Sequence, residues 1–297
     1  MVGADELSQT EVIIREGSVM QYRSIATVMT SLSADASALG AAVSIARAQD
    51  AHLDVYCAGI DHTHLDAYSL GTSPQVLAND WDFARQTAAD IKRAAEAVVE
   101  PLGVRCIVHT AVVPQPGLAA YVTHRTRFSD LVVAGKPYGE GRDHIAPAVV
   151  EAALFSGNAS VLIVPDGQSL PDFRRIVMAW NDSAQSLNAL RRALPLLKTA
   201  DLVSLSIIDP PQHGHDRSDP GGAVAQMLAR HGVKTEISVL AQTTDRVSDT
   251  ILRHASDLSA DLIVMGAYGH SRFREAIFGG ATRAMLHDSP LPVFMAH

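Results

Sequence analysis

Asp261-Leu-Ile-Val-Met-Gly266, DLIVMG, repeats Asp130-Leu-Val-Val-Ala-Gly135, DLVVAG, at an offset of 131 residues. The register holds without a gap to the ends of both stretches, where SVLIVP from Ser160 meets LPVFMA from Leu291. A second correspondence, at an offset of 151, lays RSIATVMTSL from Arg23 on RRIVMAWNDS from Arg174 and superposes Ala38-Leu39 on Ala189-Leu190. Self-similarity on this scale means two copies of one unit rather than one large domain. The difference between the offsets puts the shortening of the second copy mainly between its second strand and its second helix. The expected organisation is a tail over residues 1–19, a first domain over 20–167 and a second over 168–297.

Each copy alternates short apolar strands with helical periodicity. In the second, Arg175–Trp180 is closed by Asn181-Asp182-Ser183, residues that can cap the following helix. A strand is expected at Leu202–Asp209, then a Pro/His/Gly/Asp-rich loop over Pro210–Gly222, a helix to about His231 and a strand at Lys234–Leu240. Val247, Ile251, Leu252, Ala255 and Leu258 mark one helical face. The strand Asp261–Gly266, a short helix from Gly280 and a strand at Pro292–Ala296 complete the copy. In the first copy a long helix is expected from about Asp80 to Pro101. Strands with little polar alternation are expected to be parallel and covered on both faces. The fold class is therefore α/β, two tandem doubly wound parallel-sheet domains with strand order 3-2-1-4-5.

Composition narrows the partners. Lys and Arg number 24 against 32 Asp and Glu, a net charge of −8, which disfavours nucleic acid. Cys57 and Cys106 have no CxxC spacing and suit a reducing compartment. No apolar run approaches the roughly 20 residues of a membrane span. The acidic N-terminal stretch does not read as a secretory signal, so a cytoplasmic location is expected.

The strand at Asp261 leads into GAYGHSRFREAIFGGAT, Gly266 to Thr282. In an open α/β sheet, ligands sit beyond the carboxyl ends of the strands where strand order reverses. Glycines at 266, 269, 279 and 280 let backbone approach a ligand, and a helix opening at Gly280 offers free N–H groups to an anion. His270, Arg272 and Arg274 add positive charge. The loop is neither a Walker A loop nor a GxGxxG fingerprint. Read blandly, the same glycines are turns and a close helix–strand contact.

The tandem copies and the G-x2-G-x9-G spacing resemble the universal stress protein family, over both copies from about residue 20. The resemblance implies ATP as ligand, with magnesium as a candidate companion ion, and nucleotide occupancy as a switch in stress response. Carried over by position, Gly266 would lie by the ribose. Gly269, Gly279 and Gly280 would present backbone to the phosphates, and Thr282 a hydroxyl. The backbone of Ile207 would meet the adenine. Trp180, Asn181, His270, Arg272 and Ala281 complete the implied contact set. Two positions depart from the family pattern: Asn181 stands where an aspartate is usual, and Gly280 where Ser or Thr is usual. In the first copy Gly135, Tyr138, Ala148 and Val149 replace the four glycines, so that copy is expected to be a structural partner. Single-domain members pair their edge strands between chains, which implies an intramolecular pseudo-dimer here, with a homodimer of the full chain as a further expectation.

Other constellations are weaker. His62-Thr-His64 with Asp61 and Asp66, and His213-Gly-His215 with Asp216, have some zinc character, but a solvated polar loop is the favoured reading because no further spaced ligand accompanies them. Ser156 and Ser271 have no identifiable base. Slow ATP hydrolysis or adenylyl transfer is one rival function, and a scaffold that binds no nucleotide is the other.

Overall fold

Among the described residues ten strands form a single sheet, and the chain builds it in two passes of five. A computed structural model describes residues 21–62, 74–167, 170, 172–210, 219–267 and 280–297. The first pass runs β1 (Ser24–Met29), α1 (Ala36–Ala48), β2 (His52–Asp61), α2 (Pro74–Val99), β3 (Cys106–Pro114), α3 (Leu118–Thr126), β4 (Leu131–Gly135), α4 (Ile145–Glu151) and β5 (Val161–Val164). The second runs β6 (Arg175–Trp180), α5 (Ala184–Leu197), β7 (Leu202–Ile208), α6 (Gly222–Arg230), β8 (Thr235–Leu240), α7 (Val247–Asp257), β9 (Leu262–Gly266), α8 (Gly280–Asp288) and β10 (Val293–Ala296).

The spatial order is β3-β2-β1-β4-β5-β10-β9-β6-β7-β8. Each half reads 3-2-1-4-5 from its outer edge, as expected, and every pairing within a half is parallel. The halves meet where β5 and β10 pair antiparallel, Ile163 opposite Val293, Leu162 opposite Phe294 and Val161 opposite Met295. Both strands are apolar and carry no charge, and each supplies the cover that the other lacks.

The repeated Asp of DLVVAG and DLIVMG has the same task in both halves. Asp130 Oδ2 accepts from the backbone N–H groups of Arg23 (2.7 Å) and Ser24 (3.0 Å). Asp261 Oδ2 accepts from those of Arg174 (2.9 Å) and Arg175 (2.8 Å). Each carboxylate thus pins the start of its half's first strand to the start of the fourth. Charge-assisted bonds of this kind are the stronger sort.

Alternating side chains feed two apolar layers, one on each face, and both run unbroken across the two halves. One face is covered by α1, α2, α5 and α6, the other by α3, α4, α7 and α8. Phe294 is fully buried in the first layer at the seam.

Three expectations need correction. Helix α2 begins at Pro74, before Asp80, because proline's fixed φ and missing N–H suit a helix's first turn. The strands are not uniformly covered on both faces. β3 and β8 are the outer edges of the sheet, with Ile107 and Val239 about half exposed. Nor is β7 purely apolar: buried Ser204 places its hydroxyl 2.9 Å from that of Ser238 and 3.0 Å from His254 Nε2 on α7.

Phe294→Ala should lower stability by about 3–5 kcal/mol, as expected for a fully buried aromatic, whereas Val239→Ala on the open edge should stay within about 0.5 kcal/mol. Urea unfolding of the two variants checks this. Burial also holds the His254 imidazole below the ordinary histidine value of about 6.5. On acidification the unfolded chain therefore takes up this proton first, and stability falls as pH drops from 6.5 toward the lower folded value. His254→Gln should flatten that part of the stability–pH curve.

Candidate functional site

Strand order reverses between β6 and β9 in the second half, so their carboxyl ends border a crevice. Trp180, the last residue of β6, is half-buried and lies opposite Ile207 of β7. Ile207 is one residue short of the end of β7 and its side chain is buried. Ala179 lies opposite Met265, which sets Gly266 at the end of β9 beside Trp180.

Asn181 follows at once and is exposed. Its Oδ1 accepts from Ser183 Oγ (2.7 Å) and from the Ser183 N–H (3.3 Å). Ser183 in turn caps α5, its Oγ accepting from Ser186 N–H at 3.1 Å. Between them Asp182 takes a left-handed conformation, φ +57°, which Asn and Asp adopt more readily than most residues. Its side chain is thus aimed by a turn, not by the alternation of a strand. This tight turn starts α5 close beneath the end of β9.

That closeness explains Gly266. A Cβ there would stand 2.6 Å from Ser186 N and 2.7 Å from Gln185 C, inside any real contact. Gly135, its counterpart, would bring a Cβ within 2.8 Å of Ala34 O. The glycine ending the fourth strand therefore serves helix–strand packing in both halves, whatever else its backbone does. Gly280 differs. It is exposed at the start of α8, and a Cβ added there would meet nothing within 4 Å. Ala281 is half-buried and Thr282 is buried. Gly269, His270, Arg272 and Gly279 lie outside the described residues, as do His64 and the histidines of the 213–216 loop. Among the described residues no three His, Cys, Asp or Glu side chains gather as for a metal ion.

The first half is built differently at the same place. Ala148 and Val149, which take the places of Gly279 and Gly280, lie within α4, which has already begun at Ile145. Tyr138 lies under the Arg283 guanidinium of α8, 5.5 Å from ring centre to carbon, and Lys136 Nζ donates to Ser289 O at 3.2 Å. The stretch after β4 is thus engaged with the other half. Arg142, nearly buried, donates to Ala34 O (2.9 Å) and pairs with Asp166. Its charge is already answered.

Residues 172–297 match the model of the universal stress protein family. The C-terminal half is a universal stress protein domain. A universal stress protein of Synechocystis sp. is 27% identical over 177 residues, covering 55% of this chain and 56% of its own length, so the chain spans just over half of that relative. A second from the same organism is 29% identical over 133 residues, 41% of this chain and 85% of its own. A solved universal stress protein from Archaeoglobus fulgidus superposes on 91% of this chain and 97% of its own with a TM-score of 0.68, at 16% identity. That likeness extends the universal stress protein fold over both halves.

Sequence reasoning passed over Asp130 and Asp261, which fix the amino ends of the strands opposite the crevices, and Arg142, which lines the crevice of the first half. Asp130 and Asp261 could have been found from the repeat itself, which preserves them. Arg142 had no signal, because its partners are distant in sequence.

Gly266→Ala should cost about 1–3 kcal/mol through overpacking against α5, without any ligand present. Gly280→Ala should be neutral or stabilising by up to about 1 kcal/mol, since alanine favours the helix. Thermal unfolding of the two variants separates the packing glycine from the open one.

Proposed function

We propose that the C-terminal universal stress protein domain binds one ATP per chain and that occupancy of this site is the protein's signal. The observation that carries the reading is the exposed pair at the crevice, Asn181 on one side and the open start of α8 at Gly280 on the other. Asn181 offers neutral hydrogen bonds to a nucleoside. The first N–H groups of α8 offer donors and a partial positive charge to phosphate. By the family resemblance His270 and Arg272 of the intervening sequence would supply cationic groups and Gly269 and Gly279 would present backbone, while Thr282 belongs to the first turn of α8. Magnesium would accompany the phosphates.

The first half has no equivalent set, since Arg142 is paired and Tyr138 is packed against the other half. It acts as a structural partner through β5. The two cysteines support a reducing, cytoplasmic setting without a redox role: burial pushes the Cys57 thiol up to about 12 and the Cys106 thiol up to about 11. Thiols held so high are poor nucleophiles. Among the described residues no helix is long and apolar enough to cross a membrane.

A second reading, a scaffold without nucleotide, draws on the finding that Gly266 has a full packing explanation and is no evidence of a ligand by itself.

Calorimetric titration with ATP, ADP and AMP separates the two. One site per chain, lost in Gly279→Trp and unaffected by Tyr138→Phe, supports the nucleotide reading. Two sites, or none, rejects it. Asn181→Asp keeps an oxygen for the Ser183 bonds and adds a charged acceptor. It should tighten ATP by about 1 kcal/mol, roughly fivefold in Kd. Weaker binding in a folded variant would place the nucleoside elsewhere.

A further inference from the structure

The first half holds a cavity of about 220 Å³ at the carboxyl ends of β1 and β2, closed by α2 and the segment around Arg142. It is smaller than the roughly 300–1,000 Å³ of sites for drug-sized ligands, which limits its occupant to a compact molecule. Its walls combine Ile60, Ala34 and Phe83 with the buried side chain of Asp35. Phe83 is 73% exposed, an aromatic ring presented to solvent at the rim.

Asp35 is the unusual group. It is 8% exposed, and its Oδ2 accepts from the backbone N–H groups of Thr30 (2.8 Å) and Ser31 (3.0 Å). Among the described residues no hydrogen-bond donor reaches its Oδ1. Arg142 is near enough for its charge to draw the Asp35 carboxyl down, but its hydrogen bonds go to Asp166 and Ala34 O. Asp143, also lining the cavity, adds a second carboxylate, whose Oδ1 accepts from Ile145 N–H at 2.9 Å. Burial pushes the Asp35 carboxyl above its ordinary range, by more than the Thr30 and Ser31 N–H groups and the Arg142 charge draw it down.

An anion is the wrong guest here, because Asp35 and Asp143 line the cavity, the Arg142 guanidinium is hydrogen-bonded to Asp166 and Ala34 O, and His62, also on its wall, has Nδ1 on Gln115 Oε1. A metal ion lacks ligands, since no three suitable side chains gather among the described residues. We infer that this cavity binds a small organic cation with an apolar body, its ammonium group on Asp35 and its body against Ile60 and Phe83. The ammonium meets a buried carboxylate whose Oδ1 has no hydrogen-bond donor among the described residues, and the exposed ring adds an apolar surface. The two halves then differ in the sign of charge that they accept. This inference stands independently of ATP binding in the second half.

Three probes of similar shape test it on the full chain by calorimetry and by amide shifts: 2-phenylethylamine, 2-phenylethanol and 3-phenylpropionate. The amine should bind saturably, roughly tenfold or more tighter than the alcohol, and the carboxylate should not saturate. Asp35→Asn keeps an oxygen for both backbone N–H groups and should abolish the preference for the amine. Phe83→Ala, at an exposed position, should weaken amine binding while leaving the preference in place. The inference is overturned by equal binding of amine and alcohol, by tighter carboxylate binding, by an amine that does not saturate, by a preference that survives Asp35→Asn, or by amine affinity indifferent to Phe83→Ala.

Discussion

Pairing between β5 and β10 is the contact on which the rest of the molecule depends. Each half alone would end in an apolar strand with one row of unpaired backbone groups. Joined antiparallel, the two strands become the centre of a ten-stranded sheet, and both apolar layers continue across the seam. The remaining edges, β3 and β8, are displaced to the far ends. The seam also fixes what each half can do. Stretches that follow β4 reach the other half, as Lys136 and Tyr138 do, so the first crevice is shaped partly by the need to hold the pair together.

Much of the fold was legible because it is written twice. Apolar runs at matching positions marked the strands, and the 131-residue offset aligned β4 with β9 and β5 with β10. The pairing of these last strands was implied by the family resemblance, and their lack of charge agrees with it. The edge strands and β7 were harder to read. Ser204 and Ser238 look like solvent-facing positions, yet they lie in a hydrogen-bonded set closed by His254 from another element. Sequence spacing carries no sign of such a partner.

The candidate site was legible only in part, and for a general reason. A glycine reports that something comes close but not what it is. At Gly266 the neighbour is the start of α5, as it is the β1–α1 loop at Gly135. At Gly280 the structure leaves open space. Asp35 escaped notice because an aspartate before an alanine-rich helix reads as a cap. Its carboxylate instead holds the backbone of the preceding loop and lines a cavity.

Having both sides of the seam on one chain changes how that seam tolerates substitution. In a symmetric dimer of identical subunits, one altered codon appears on both sides of the axis, and any misfit is felt twice. Here Val161 faces Met295 and Ile163 faces Val293, so each side is encoded separately. A change in one strand occurs once and can be answered by a different change in the other. The two halves were thereby free to drift apart even in the strands that join them.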